Sequence, residues 1–362
     1  MIESGSSIGQ LLDRILSATL TRILIGVGIV AVCAFLSYKA AHNQATETMI
    51  LTEDRVSLTR YLDGTASRPF AYRALTPILI RFTQNTLNIP GLAHFLPDIA
   101  QQKIAYICSK ATADPAPSCD SVVSYFVVSA GYFFVFLLSI FFITQRLFGR
   151  SLAISAGAIL LAFWITNAII LLRLSHIYDF GVLMFGTLLL ICLEYRTNVL
   201  FCMVLALACL NKESSIIYSL AFVFVNMNRM SLPKLATYFA GQLLAFAVIY
   251  GCLNIYFGHN EGAGLEFWLW SQISLLTEKL SLPDVLLLVT AAIVVFYRFP
   301  EKNQTLRMSS IVIIPWFLLF MVGGVPRELR VMFEILPLLL LMATDSAVAL
   351  VLGTRPVRLS GA

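Results

Sequence analysis

Apolar runs of about 17–25 residues recur along this chain, and they constrain its fold more than any other feature. A helix of that length matches the hydrocarbon thickness of a bilayer. Composition agrees, because 59% of the 362 residues are hydrophobic and only 12% are charged, and a soluble domain carries about twice that charged fraction. The runs do not alternate as the strands of a β-barrel would. The sequence therefore predicts an all-α, polytopic transmembrane helix bundle.

We predict about ten spans within one integral-membrane domain that covers residues 1–362, because no polar block is long enough for a separate soluble domain. The approximate limits are 22–41, 122–145, 152–172, 179–195, 198–211, 214–228, 235–257, 284–298, 309–324 and 331–352. The fifth and sixth are short, which indicates that one or both are broken or lie partly below the membrane surface. Residues 1–21 are amphipathic and indicate an interfacial helix that leads into the first span rather than a cleavable signal.

Basic residues lie in every second connection, which predicts the orientation of the bundle. The positive-inside rule then assigns both termini and these connections to the cytoplasm. The basic residues are Arg14, Arg22, Arg146, Arg150, Arg196, Arg229, Lys234, Arg298, Lys302, Arg307, Arg355 and Arg358. The other connections face outward, and the longest is the first loop, residues 42–121. These outer connections carry most of the chemically capable side chains.

The first outer loop holds a polar stretch from Ile50 to Pro77. Glu53 and Asp54 form an acidic pair, and Asp63 follows; such carboxylates can act as a general base or hold a divalent cation with a diphosphate. Spacing alone favours ordinary solvated acids. Arg68 and Arg73 flank the PFAY segment and can grip a phosphate bidentately; the alternative is that they reach lipid headgroups.

Three further outer connections carry ionisable residues. Arg173, His176 and Asp179 have three-residue spacing, so a continuing helix would place them on nearly one face. Lys212 and Glu213 stand between two short apolar segments. The last connection contains Arg327, Glu328 and Arg330, followed by Glu334. Ionisable groups at membrane depth are candidates for function, and mutual ion pairs at a loop are the alternative.

Two amphipathic helices are predicted in the first loop. One covers Arg68 to Leu87, with Pro69 at its start and Pro77 as a kink or restart. The second, weaker pattern covers Ala93 to Lys110. Cys108 and Cys119 flank a Pro-rich turn, and the sequence fits a disulfide in an oxidising compartment about as well as free thiols.

Several kinds of site are not indicated. The sequence contains no CxxC or His-rich pattern, so we predict no structural metal ligands. It also contains no Walker motif, GxSxG elbow or HExxH. The basic residues are dispersed rather than clustered, so nucleic acid is not a predicted partner.

The acidic pair in the first outer loop, the PFAYRALTP segment, a YD at the start of a span and the NKES segment together resemble the GT-C superfamily of integral-membrane glycosyltransferases. The likeness is to small bacterial members that lack a soluble C-terminal domain. It implies transfer of a sugar from a polyprenyl-phosphate or diphosphate carrier to a glycan, lipid or protein acceptor on the periplasmic face of the inner membrane.

The resemblance also implies roles for individual residues. Asp54 would be the catalytic carboxylate, acting as the base or as a metal-linked residue, with Glu53 as its partner and Asp63 as the next choice. Asp179 would match the acidic residue of the second loop. Arg68, Arg73 and Lys212 would bind the carrier phosphate, and Tyr72 lies between the two arginines. The pair is ED rather than DxD, so dependence on Mg or Mn stays open. Without a soluble domain, the loops or a membrane partner protein must hold the acceptor.

Two other functions fit the same sequence. A transporter or lipid flippase would use paired broken helices, and the short spans around Lys212 fit that pattern. A non-catalytic subunit of a polysaccharide assembly complex would share the fold without needing an acid. The transferase hypothesis predicts that Asp54, Arg73, Asp179 and Lys212 converge in an outward cavity.

Overall fold

The structure is a computed structural model that describes residues 5–47, 57–87, 106, 108–109, 117–149, 151–171, 176–262, 267–275, 281–324 and 329–352. Its regular structure in these ranges is helical throughout, without a strand. The helices are α1 Gly5–Glu47, α2 Leu58–Asp63, α3 Leu75–Leu87, α4 Cys119–Leu147, α5 Leu152–Leu171, α6 Asp179–Glu194, α7 Asn198–Asn211, α8 Tyr218–Asn226, α9 Leu232–Phe257, α10 Leu269–Ser274, α11 Leu282–Phe296, α12 Gln304–Ser309, α13 Ile313–Gly323 and α14 Leu336–Leu352.

Within the described residues, five helical segments are long and apolar enough to cross a membrane, which makes the chain a multi-pass membrane protein. They are Ile23–Thr46, Cys119–Leu147, Leu152–Leu171, Leu232–Phe257 and Gln304–Gly323. Shorter apolar segments cover Asn198–Asn211, Glu213–Asn226 and Leu336–Val351. The predicted helical membrane class is confirmed, and the prediction of ten spans stays a prediction.

Helix α6 forms the centre of the bundle and packs against α4, α7 and α14. Nearly all of its residues are buried, because the segment is apolar around its whole circumference. Two glycines allow neighbours to approach closely. A Cβ on Gly181 would lie 2.7 Å from Asn211 Oδ1, and a Cβ on Gly186 would lie 3.0 Å from the Tyr218 hydroxyl.

The predicted surface helix from Arg68 to Leu87 is divided. A 3-10 turn covers Phe70–Tyr72, and α3 begins at Leu75. Pro77 lies in the first turn of α3, where a missing N–H breaks no intrahelical bond, so it permits the restart. The short helix α2 was not predicted, although Ser57 caps its start and Gly64 ends it in the left-handed conformation, φ 71°.

Two other sequence-based expectations concern the ends of the first loop. Helix α1 is continuous from Gly5 to Glu47, so the expected interfacial helix and the first span form a single helix. Cys108 and Cys119 form a disulfide with a Cα–Cα distance of 5.3 Å. Most of the predicted helix from Ala93 to Lys110 lies outside the described residues.

The connections gather at two opposite ends of the bundle. At one end, the Asn260 side-chain amide donates to Gly64 O at 2.8 Å and to Ala66 O at 2.9 Å, which joins the first loop to the connection after α9. At the other end, the Arg146 guanidinium lies 5.6 Å from the centre of the Tyr195 ring. This second contact joins the connections that follow α4 and α6.

Candidate functional site

Arg73 lies in a cluster formed by several connections at the first-loop end of the bundle. Its Nε and Nη2 donate to the two carboxylate oxygens of Glu213 at 3.4 and 3.2 Å. Its Nη1 donates to the Tyr178 hydroxyl. The guanidinium carbon also lies 5.1 Å from the centre of the Phe70 ring and 4.3 Å from that of Tyr178. We call Arg73, Tyr178, Lys212, Glu213 and Glu334 the Tyr178 cluster.

Lys212 forms the second ion pair of the cluster. Its ammonium binds the Glu334 carboxylate and lies 6.0 Å from the centre of the Tyr178 ring. Both side chains are almost fully buried. Glu334 comes from the 3-10 segment before α14, so this pair joins two connections that are far apart in sequence. The cluster therefore contains two cations and two carboxylates, and their formal charges balance.

Asp179 shapes the turn that leads into α6. Its Oδ2 accepts the His176 backbone N–H at 2.6 Å, and the residue is buried. Gln44 of α1 donates to His176 O at 3.0 Å. The His176 ring lies nearly parallel to the Tyr178 ring, with centres 5.5 Å apart. His176 lies in a non-helical turn before α6, so the helical spacing considered for Arg173, His176 and Asp179 does not describe how His176 and Asp179 are arranged.

A chain of side-chain hydrogen bonds ties the cluster to the middle of α4. Asn211 Nδ2 donates to Tyr178 O at 3.1 Å. Thr76 Oγ1 donates to Asn211 Oδ1 at 2.8 Å and lies 3.2 Å from the Tyr132 hydroxyl. Tyr132 lies close to the midpoint of α4. The first-loop residue Thr76 therefore reaches the level of the centre of a long apolar helix.

Helix lengths show how deep the cluster lies. Arg146 and Tyr195 are in contact, so α4 and α6 end at the same level. At about 1.5 Å per residue, α4 rises about 43 Å from that level and α6 only about 24 Å. Because the Tyr178 cluster lies at the start of α6, it is recessed from the Cys119 end of α4.

The environment keeps Arg73 charged. Burial acts to lower the pKa of Arg73, the Glu213 carboxylate acts to raise it, and the net direction is upward. The two partners differ in exposure: the Arg73 side chain is 8% exposed, while that of Glu213 is 29% exposed. Glu213 is thus the more accessible partner of the pair.

Other predicted site residues lie away from the cluster. Asp63 is exposed at the end of α2, and Arg68 donates its backbone N–H to Glu261 O at 2.8 Å. Among the described residues, no hydrogen bond or ion pair joins either one to the Tyr178 cluster. Tyr72 points its hydroxyl to Asn254 Oδ1 of α9, at 2.9 Å.

The structure thus brings Arg73, His176, Asp179, Lys212 and Glu213 together, and their roles stay predictions. Glu53, Asp54, Arg173, Arg327, Glu328 and the Arg330 side chain lie outside the described part of the chain.

Tyr178, Asn211 and Thr76 lie in the YD, NKES and PFAYRALTP segments, but sequence reasoning gave them no role, and it missed Tyr132 altogether. Each of the four is a polar residue beside or within an apolar run, and that position could have identified them. Within the described ranges, no three His, Cys, Asp or Glu side chains are grouped as metal ligands would be.

No model of a known protein family matches this chain, and no curated protein or solved structure matches it. The interpretation of the Tyr178 cluster therefore rests on its own chemistry.

Proposed function

We propose that this protein is a membrane glycosyltransferase of the GT-C type, with about ten spans and its site on the periplasmic face of a bacterial inner membrane. It would move a sugar from a polyprenyl-phosphate-type carrier to an envelope glycan, lipid or protein acceptor. The observation that carries the proposal is the recessed Tyr178 cluster, in which outer connections place a buried arginine and a partly exposed carboxylate.

Two observations support the orientation. Basic residues lie in every second connection, which places those connections in the cytoplasm by the positive-inside rule. The contact of Arg146 with Tyr195 gathers two of these basic connections at one end of the bundle. The Tyr178 cluster lies at the opposite end, on the periplasmic side in this orientation.

The chemistry of the cluster suits a lipid-linked donor. In the proposed reaction, an acceptor hydroxyl oxygen attacks the anomeric carbon, and the bond from that carbon to the carrier phosphate breaks. Asp54, with Asp63 in reserve, takes the hydroxyl proton. Arg73 stabilises the charge that develops on the leaving phosphate, because a planar guanidinium binds two phosphate oxygens at once. A single displacement of this kind inverts the anomeric centre.

A divalent cation has a limited place in this proposal. Glu53 and Asp54 are the residues that would hold a Mg or Mn ion beside a phosphate. The proposed stabilisation of the leaving group is assigned to Arg73, and no step is routed through a metal.

A transporter or lipid flippase is the second candidate, and the break between α7 and α8 favours it. The apolar helix ends at Asn211, Lys212 is extended, and a 3-10 turn Glu213–Ile217 precedes α8. Discontinuous helices of this kind form substrate sites in transporters. A non-catalytic subunit of a polysaccharide assembly complex is the third candidate.

A transfer assay separates the three functions. The purified protein is reconstituted in liposomes with a panel of polyprenyl-phosphate-linked hexoses labelled in the sugar. New labelled glycosidic product is expected on the accessible face, and Arg73→Gln should reduce it about 100-fold. Glu301→Gln is the matched control, because Glu301 is an exposed carboxylate paired with Arg298 outside the cluster.

The remaining variants test the first-loop carboxylate that is proposed to take the hydroxyl proton. Asp54→Asn should abolish product. If Asp63 is the base instead, Asp63→Asn should abolish it. Full transfer by both variants would refute the first-loop acid. Movement of labelled lipid across the bilayer without a new glycosidic bond would favour the flippase, and neither activity would favour the non-catalytic subunit.

A further inference from the structure

The edge of the Arg73 guanidinium that carries Nε and Nη2, here called the donor edge, is already paired with a carboxylate of the same chain. Nε and Nη2 face the two oxygens of Glu213 in the fork arrangement that a phosphate would also take. Glu213 therefore holds the position that an anionic ligand would take.

The other sides of the guanidinium are covered. The Phe70 and Tyr178 rings lie within cation–π distance, and the Tyr178 hydroxyl accepts from Nη1. Arg73 is almost fully buried and Glu213 is 29% exposed, so Glu213 is the more accessible member of the pair. A ligand that approaches the pair would meet Glu213 before Arg73.

The backbone beside Glu213 is held in place. Lys212 is anchored by its ion pair with Glu334, and Glu213 opens a 3-10 turn that contacts both α9 and α13. Rotation of the Glu213 side chain alone can therefore expose the donor edge of Arg73. A buried guanidinium without a partner is costly, so another anion must take the place of the carboxylate.

We propose that Glu213 is a displaceable counter-ion, and that the phosphate monoester of a long-chain alcohol replaces it on Arg73. The exchange keeps the buried charge of Arg73 compensated in both states, and it returns the Glu213 carboxylate to water. The lipid identity of the phosphate rests on the proposed function, whereas the exchange itself does not.

Equilibrium binding to the full-length protein in nanodiscs tests the exchange. The probes are farnesyl monophosphate, farnesol and inorganic phosphate, each titrated by calorimetry. Farnesyl monophosphate should bind, and Arg73→Gln should abolish that binding. Glu213→Gln should tighten it about tenfold. This is the effect expected if Arg73 is paired with Glu213 in about nine-tenths of the wild-type molecules, so that only about one-tenth can bind the ligand. Farnesol, which lacks the phosphate, should not bind.

Matched variants separate the exchange from a general effect of charge. Glu261→Gln removes an exposed carboxylate from the connection after α9 and should leave the affinity unchanged. Glu213→Asp keeps the charge but withdraws the carboxylate by one methylene, so its affinity should fall between wild type and Glu213→Gln. This variant also tests the proposal if Glu213→Gln does not fold.

The outcomes are distinct. Unchanged or weakened binding of farnesyl monophosphate to both Glu213 variants overturns the exchange. Equal tightening for inorganic phosphate supports the exchange and assigns the site to free phosphate. Sugar transfer with no increase in the affinity of the Glu213 variants would support the proposed function and refute the exchange. An increase in affinity without sugar transfer would support the exchange and refute the proposed function.

Discussion

At the scale of single residues, Tyr178 organises the site. Its hydroxyl accepts from Arg73, its ring lies near the ammonium of Lys212, and its backbone oxygen accepts from Asn211. A tyrosine suits this position because it has an apolar ring for the bundle and a polar tip for the cluster. The four charged side chains around it are compensated in pairs, which lowers the cost of burying them.

Loss of Lys212 should be strongly destabilising. Lys212→Met leaves the buried Glu334 carboxylate without its partner, a change that costs about 3–5 kcal/mol in buried pairs. The thermal midpoint of the purified protein in detergent should fall accordingly, and the double variant Lys212→Met/Glu334→Gln should recover part of the loss. Lys234→Met, at an exposed position of α9, is the control and should change little. A Lys212→Met midpoint equal to that of wild type would contradict the buried pair.

At the scale of elements, the short helix α6 decides where the site can be. It is buried on nearly all sides, and its start lies well short of the Cys119 end of α4, so the residues around that start lie in a recess. Gly181 allows Asn211 to lie against α6, and Asn211 in turn holds Tyr178 and Thr76. The shape of the recess therefore depends on a close contact between two helices.

Gly181→Ala should disrupt this contact. The added Cβ would lie 2.7 Å from Asn211 Oδ1, so the amide must move and its hydrogen bonds to Thr76 and Tyr178 must lengthen. Overpacking of this kind costs about 1–3 kcal/mol, which thermal unfolding would report. Gly251→Ala is the control in α9, because nothing lies within 4 Å of its added Cβ. Equal stability of the two variants would argue against the packing role of Gly181.

At the scale of the whole molecule, consecutive connections serve different purposes. The connections at the first-loop end meet around buried polar groups, whereas several connections of the opposite end carry the basic residues from which the orientation is proposed. Lys302, which the sequence analysis counted among the basic residues that orient the bundle, also has a packing role. It is buried and donates to Met342 O at 2.8 Å and to Ser346 Oγ at 2.7 Å, so it also binds the connection before α12 to α14.

The proposed orientation predicts which residues a membrane-impermeant reagent can reach. In intact spheroplasts, a charged maleimide should label the Glu261→Cys variant and should not label Glu301→Cys until the membrane is permeabilised. Both residues are exposed, so access to the compartment decides the result. The parent without the substitutions is the background control. Labelling of Glu301→Cys alone in intact spheroplasts would show that the topology is the opposite of the proposed one.

The sequence by itself determined the class of the protein and the residues worth testing. Long apolar runs indicate membrane helices because their length and composition match a bilayer, and no tertiary contact is needed for that inference. Polar residues between such runs are recognisable for the same reason, which is how Arg73, Lys212 and Glu213 were selected. The Cys108–Cys119 pair was left open, and the structure resolves it as a disulfide.

Only the tertiary structure decided which of these residues meet. Arg73 and Glu213 are 140 positions apart, and no local period encodes a contact at that distance. The packing of the short helices brings in the partners Tyr178, Asn211 and Glu334. Gly181 permits the close approach of Asn211 because it has no Cβ. Periodicity reports which face of a helix is apolar, but the pairing of buried charges follows from the way several helices fill space together.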